Sequence, residues 1–191
     1  MIKEADYFYG WDTLCYASSS DVPSYAAFVI ADSYVARADG DGTTDYYPYE
    51  TIKSEDISGN KETDKIIIMK FDVSAANSAT IKSAKLHVYG YTENGAGAKQ
   101  KIRRIVDDNW TETGITWNEL PKLYKTSHKV TVHNEDYQWI EIGITDLVQS
   151  EIHKGDGILS LAIEASDGMF YMSSNEYNGG SNKAYIEIDF D

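Results

Sequence analysis

Residues 82–91, Lys-Ser-Ala-Lys-Leu-His-Val-Tyr-Gly-Tyr, alternate with a period of two and place Ala84, Leu86, Val88 and Gly90 on one face. Such alternation is the signature of a half-buried β-strand, and it recurs along the chain. Residues 28–37 read as a strand broken near Asp32. Residues 65–73, with Ile66, Ile67, Ile68 and Met69 in one run, read as a central strand. Residues 100–106, 127–132, 138–144, 157–165, 169–173 and 184–190 complete a set of short strands separated by Gly, Asn, Asp and Ser. That punctuation predicts an all-β fold, an antiparallel β-sandwich of jelly-roll type. A single stretch departs from it. Thr145 to Gly155 carries Leu147, Val148 and Ile152 at helical spacing, with Thr145 as the expected N-cap and Lys154 in the last turn. One short helix near 145–154 follows, closing one end of the sandwich. Residues 1–27 show no sustained period and read as an extension packed on a domain formed by 28–191.

Charge excludes two classes of partner. The chain of 191 residues holds 17 Lys and Arg against 31 Asp and Glu, a net charge of −14. A surface of that sign does not meet a phosphate backbone or an anionic membrane. No apolar run reaches membrane-spanning length. A lone cysteine, Cys15, cannot form an internal disulfide. The first residues lack the basic and apolar regions of a signal peptide, so the chain is either cytoplasmic or part of a longer exported protein. Fifteen Tyr and four Trp against three Pro favour sheet surfaces and contact platforms.

Four constellations carry candidate chemistry. Trp110 and Trp117 stand in the polar stretch 107–121, either as sugar-stacking rings or as apolar pins for a long loop; the pin reading is favoured. Asp39, Asp41, Asp45 and Glu50 have the spacing of a calcium loop, but Thr44 stands where a glycine is needed and strands flank the segment. A solvated turn is the favoured reading there, and a calcium site of other geometry sharing Asp32 or Asp72 is the variant. Lys99, Lys101, Arg103, Arg104, Lys122, Lys125 and Lys129 form a local basic stretch, suited to uronates or simply a charged sheet edge. Tyr47, Tyr49, Phe170 and Tyr171 are the expected sugar contacts, ahead of the Trp pair. Catalysis has little behind it: His87, His128, His133 and His153 lack metalloprotease spacing, and no nucleophile elbow or phosphate loop is present.

The segment "DDNWTETGITWNELP" resembles the W-x-E-x-x-x-T-W-x-x-x-P signature of the DNRLRE-type β-sandwich domains, similar to carbohydrate-binding module family 96. "ADSYV" at 31–35, "MKFDVS" at 69–74, "IKSAKLHVYGY" at 81–91, "ITDLVQSEIHKG", "LSLAIEA" and "FYMSSNE" resemble further segments of that family, in its order. The resemblance covers roughly five sixths of the chain. Residues 1–27 have no counterpart, the insertion 46–63 is long and acidic, and Gly143-Ile144-Thr145 replaces a D-V-T segment.

What the resemblance implies is a non-catalytic module of a secreted or cell-surface bacterial protein, appended to catalytic or surface domains. The expected ligand is a polysaccharide, neutral rather than acidic, met by Tyr47, Tyr49, Tyr171, Trp110 and Trp117, with Lys101 and Arg103 serving an acidic one. Structural calcium at Asp39, Asp41, Asp45 and Glu50 is the one cofactor reading, second to the solvated turn; no organic cofactor is expected, and the module should be a monomer. A structural or adhesive spacer is the alternative, and a small polysaccharide-degrading enzyme the third reading.

Overall fold

A computed structural model describes residues 24–37, 42–56, 64–77, 79–93, 95, 97–125 and 127–191. The described residues form nine strands and one α-helix: β1 (Ser24–Ala36), β2 (Thr51–Asp56), β3 (Lys65–Asp72), β4 (Ile81–Tyr91), β5 (Ala98–Arg104), β6 (His128–Val132), β7 (Gln138–Gly143), α1 (Thr145–Lys154), β8 (Ile158–Ser173) and β9 (Tyr185–Phe190). All strand pairs are antiparallel. The sandwich expected from the alternation is the fold observed.

Two long strands join its layers. The first half of β1 pairs with β9, Ser24 opposite Asp189 and Phe28 opposite Tyr185. After a register break between Val29 and Ala31, its second half pairs with β3. β8 likewise runs between β3 and β5 up to Glu164 and stays on β5 to Asp167, then pairs with β2 from Gly168 to Ser173 and touches the end of β4. Strands that change sheet through a bulge are how such sandwiches turn their corners. One layer is therefore β6-β5-β8-β3-β1, and the other β1-β9-β4-β7 with β8 and β2 beside the end of β4.

The core lies between the layers. Ile67, Met69 and Phe71 of β3 face Leu86 and Val88 of β4, Leu159, Leu161 and Ile163 of β8, and Ile186 and Ile188 of β9. The other face of β3 is buried too. Ile66 and Ile68, with Val35 and Ala162, are covered by Ile105, Trp110 and Ile115 of the loop after β5. Burial on both faces is why β3 reads as a continuous apolar run instead of an alternating one.

Four local expectations are corrected. β1 begins at Ser24, inside the segment read as an extension, because residues 24–28 complete the β9 edge; residues 1–23 lie outside the described residues. β8 is one strand where two were expected, since Gly168, at φ +78, lets the chain pass the kink without ending the ladder. β2 falls in a segment read as an insertion: Ile52, Ser54 and Glu55 are its buried positions, and one apolar residue among them is too weak a signal to announce a strand. The N-cap of α1 is Ile144 with no side-chain cap, while the Thr145 hydroxyl turns to β4 and accepts the Ala84 N–H at 3.0 Å. The helix is thus tied to the sheet at the residue expected to cap it. Val148 enters the core from this helix.

Candidate functional site

The outward positions of β4 are His87, Tyr89 and Tyr91, opposite the buried Leu86, Val88 and Gly90. Register then places rings beside them. His87 faces Tyr185 of β9, Tyr89 faces Trp139 of β7, Tyr91 faces Tyr171 of β8, and Phe28 of β1 faces Tyr185 from the far side. The result is a continuous row on the outer face of one layer. Ring centroids run Phe28–Tyr185 5.7 Å, Tyr185–Trp139 5.6 Å, Trp139–Tyr89 5.3 Å, Tyr89–Tyr137 5.2 Å, Tyr137–Tyr91 4.7 Å and Tyr91–Tyr171 5.0 Å. Tyr177, in the turn after β8, adds a contact to Tyr137 at 5.7 Å.

These rings are held in place, yet remain accessible. Trp139 is 45% exposed and the tyrosines of the row are half-buried. His87 lies under the row, stacked 4.4 Å from Tyr185 with its Nε2 3.0 Å from Glu187. The Tyr137 hydroxyl meets that of Thr51 at 3.2 Å. Burial raises the Tyr137 phenol above its ordinary value, and burial followed by the neighbouring Glu93 raises that of Tyr171. Both hydroxyls therefore stay protonated and able to donate. Polar groups border the row: Lys53 has its ammonium 5.9 Å from the Tyr171 ring, Lys85 is paired to Glu141 at 2.9 Å, and Glu93, Glu135 and Gln138 are exposed.

Gly90 makes this arrangement possible. A Cβ there would sit 2.3 Å from the Tyr171 carbonyl oxygen and 2.6 Å from the Phe170 ring. Only a bare backbone lets β4 approach β8 closely enough for Tyr91 to stack on Tyr171. Gly90→Ala should lower stability by about 1–3 kcal/mol through overpacking, read as a lower urea midpoint. An unchanged midpoint would show that the strands part without cost.

The residues expected from sequence fall into separate places. Tyr171 is in the row. Phe170, beside it, points into the core at 1% exposure, since neighbours on a strand face opposite sides. Tyr47 and Tyr49 are exposed on the loop before β2, where Tyr46 is stacked on Tyr34 at 4.1 Å and Tyr49 lies 6.3 Å from Tyr34. This loop abuts the row beside Tyr137 through Glu50, whose carbonyl accepts the Ser174 N–H, and through Thr51. Trp110 is buried and Trp117 packs against the same cluster, so both are loop pins. Lys101 and Arg103 are on the outside of the other layer. Arg103 is paired to Glu164 at 2.8 Å and the nearby Lys99 to Asp167 at 3.1 Å, so acids of β8 already answer this stretch. Of the calcium loop, Asp39 and Asp41 lie outside the described residues. Asp45 accepts the N–H of Tyr47 at 3.1 Å, an Asx turn, and Glu50 is exposed.

Sequence reading missed most of the row: Phe28, Tyr89, Tyr91, Tyr137, Trp139, Tyr177 and Tyr185. The signal available was local. His87, Tyr89 and Tyr91 occupy the solvent side of a strand whose other side is plainly apolar.

No curated protein matches the chain. Among solved structures it is similar to endo-1,4-beta-D-xylanase 10B of Clostridium thermocellum, in a structure of its CBM22-1 and GH10 modules complexed with xylohexaose. That likeness has 8% sequence identity and a TM-score of 0.35, and it covers 84% of this chain and 28% of that one. The profile of carbohydrate-binding module family 96 matches residues 24–189, from the first described strand to the last. With nearly all of the sandwich inside that match, the chain belongs to carbohydrate-binding module family 96.

Proposed function

We propose that the chain is a non-catalytic module that binds a polysaccharide along the aromatic row of the β1-β9-β4-β7 layer. One observation carries this: rings from five strands and two adjoining turns stand in unbroken contact on one accessible face. Pyranose C–H faces stack on such rings, and the bordering hydroxyls, amides and carboxylates supply hydrogen bonds. A row of this length serves a chain of sugars better than a single one. A spacer has no use for so many rings at its surface, so the binding reading is favoured over the structural one.

The glycan is neutral. Glu93, Glu135, Glu141 and Glu187 outnumber Lys53 and Lys85 around the row, and the net charge is −14, so a polyuronate would meet an excess of like charge there. The module acts as part of a longer exported protein, holding a catalytic or surface domain near its substrate.

Trp139→Ala should weaken binding by about 1–3 kcal/mol, by analogy with aromatic stacking on nucleobases, with an unchanged melting temperature because the ring is half exposed. Calorimetry on a panel of neutral and uronic polysaccharides at low and high salt measures it. Binding unaffected by Trp139→Ala and Tyr91→Ala but lost in Tyr47→Ala and Tyr49→Ala would move the site to the β2 loop. Salt-sensitive binding lost in Lys101→Ala and Arg103→Ala would replace the neutral glycan with an acidic one.

A further inference from the structure

Three carboxylates from distant parts of the chain meet beside the register break of β1. Asp32 belongs to β1, Glu112 to the long loop after β5, and Glu176 to the turn after β8. One oxygen from each lies within 4.8 Å of the others. Asp32 is 2% exposed. Its Oδ2 accepts the Asn175 N–H at 2.8 Å, but its Oδ1 is buried with no hydrogen-bond partner. Oδ1 of Asn175 is buried and unpartnered as well. Glu112 Oε1 accepts the backbone N–H of Asp32 at 2.8 Å, which fixes the loop to the strand.

Buried polar atoms are almost always satisfied, and buried carboxylates repel one another unless a cation stands between them. Lys183 is the cation whose charge reaches Asp32, against the negative charges of Glu176 and Glu112. Burial, and after it the nearby Glu176, holds the Asp32 carboxyl well above the usual carboxylate range; burial raises Glu112 too. The donor set is all oxygen, the preference of a hard cation, with no His or Cys to select zinc. Calcium binds oxygens at about 2.4 Å, so atoms of its shell are at most about 4.8 Å apart, and the three carboxylate oxygens here lie within that limit. Its irregular shell also accepts a buried amide oxygen beside carboxylates, where magnesium demands a regular octahedron and keeps its waters.

We propose that Asp32, Glu112 and Glu176, with the side-chain oxygen of Asn175, form a calcium site that ties β1, the loop pinned by Trp110, and the β8–β9 connection together. The ion takes the place of the hydrogen bonds that Asp32 Oδ1 and Asn175 Oδ1 lack. The site is separate from the loop of Asp39, Asp41, Asp45 and Glu50, and it stands whether or not the aromatic row binds a glycan.

The test is calcium titration of the chelator-treated protein, followed by calorimetry and by terbium luminescence sensitised from Trp110. Calcium at about a hundredfold above its dissociation constant should raise the melting temperature by roughly 5–10 °C for a chain of this size. Glu176→Gln and Glu112→Gln should lose this shift and the terbium signal, while melting no lower than the parent in chelator, since each removes a repelling charge. Asp45→Asn should keep both. The proposal falls if calcium neither binds nor shifts the parent. It falls equally if Glu112→Gln and Glu176→Gln retain the full shift, or if Asp45→Asn abolishes it. A shift as large with magnesium would overturn the choice of ion.

Discussion

Trp110→Ala should destabilise the fold by about 3–5 kcal/mol, the cost of emptying an aromatic site in a core. The indole is 6% exposed and packs with Val35, Ile66, Ile68, Ile105, Ile115 and Ala162 over the outer face of β3. Its N–H donates to the Ser160 hydroxyl at 3.1 Å, and Ser160 is fully buried, so truncation also leaves a polar group without its donor. The Lys70 ammonium lies 4.6 Å from the ring and donates to the carbonyls of Asp108 and Trp110 at 2.6 and 2.7 Å. Ring, ammonium and carbonyls together fix the loop against the sheet. The expected signature is a melting temperature lower by about 6–20 °C, with a matching fall in the urea midpoint. Trp139→Ala, in the row, should show the reverse pattern of lost binding and kept stability. A Trp110→Ala variant that melts like the parent and fails only to bind sugar would return this ring to the ligand site.

What the sequence discloses and what it hides divide along one physical line. Alternation reports which side of a strand faces the core, so the inward set of β4 and the doubly buried β3 are legible without coordinates. It does not report which strands are neighbours. The aromatic row draws rings from β1, β4, β7, β8 and β9, and only Tyr171 of the expected contacts belongs to it. Tyr47 and Tyr49 are close together in sequence, whereas Tyr89, Trp139 and Tyr185 are neighbours only through register. The acidic triad is hidden the same way. Asp32, Glu112 and Glu176 each lie in a segment that resembles the family, and only the topology brings them together. Asp39, Asp41 and Asp45 instead offered a spacing along the chain. Thr145 shows a subtler limit. A hydroxyl at a helix start reads as a cap, but here the β4 backbone offers it a tertiary partner. Trp110 and Trp117, by contrast, carry a legible role, since a long polar loop needs apolar pins and the structure places both as such.

Arg104→Met should cost about 3–5 kcal/mol at neutral pH by stranding a buried carboxylate. Glu151 of α1 has no exposed side-chain surface, and Arg104 at the end of β5 is its ion-pair partner. The other Glu151 oxygen accepts the Gly157 N–H at 3.2 Å. Space around it is so tight that a Cβ on Gly155 would lie 1.6 Å from the carboxylate. Burial raises the Glu151 carboxyl above its ordinary 4.5, and Arg104 holds it down in opposition. Removing the guanidinium leaves burial alone, so the folded value climbs further. An acid whose folded value exceeds its unfolded one holds a proton that the unfolded chain has released. The variant is therefore least compromised below about pH 4.5, and it loses stability as pH rises from there toward the folded value, at up to about 1.4 kcal/mol per unit. Urea unfolding should show a deficit that is small near pH 4.5 and large at pH 8. Adding Glu151→Gln, which keeps an acceptor for Gly157 and removes the charge, should recover much of the loss at pH 8 and little at low pH. A deficit equal at both pH values, or one untouched by the second substitution, would show that the Arg104 side chain stabilises by its packing against Tyr124, whose ring is 5.6 Å from the guanidinium, and not by its charge.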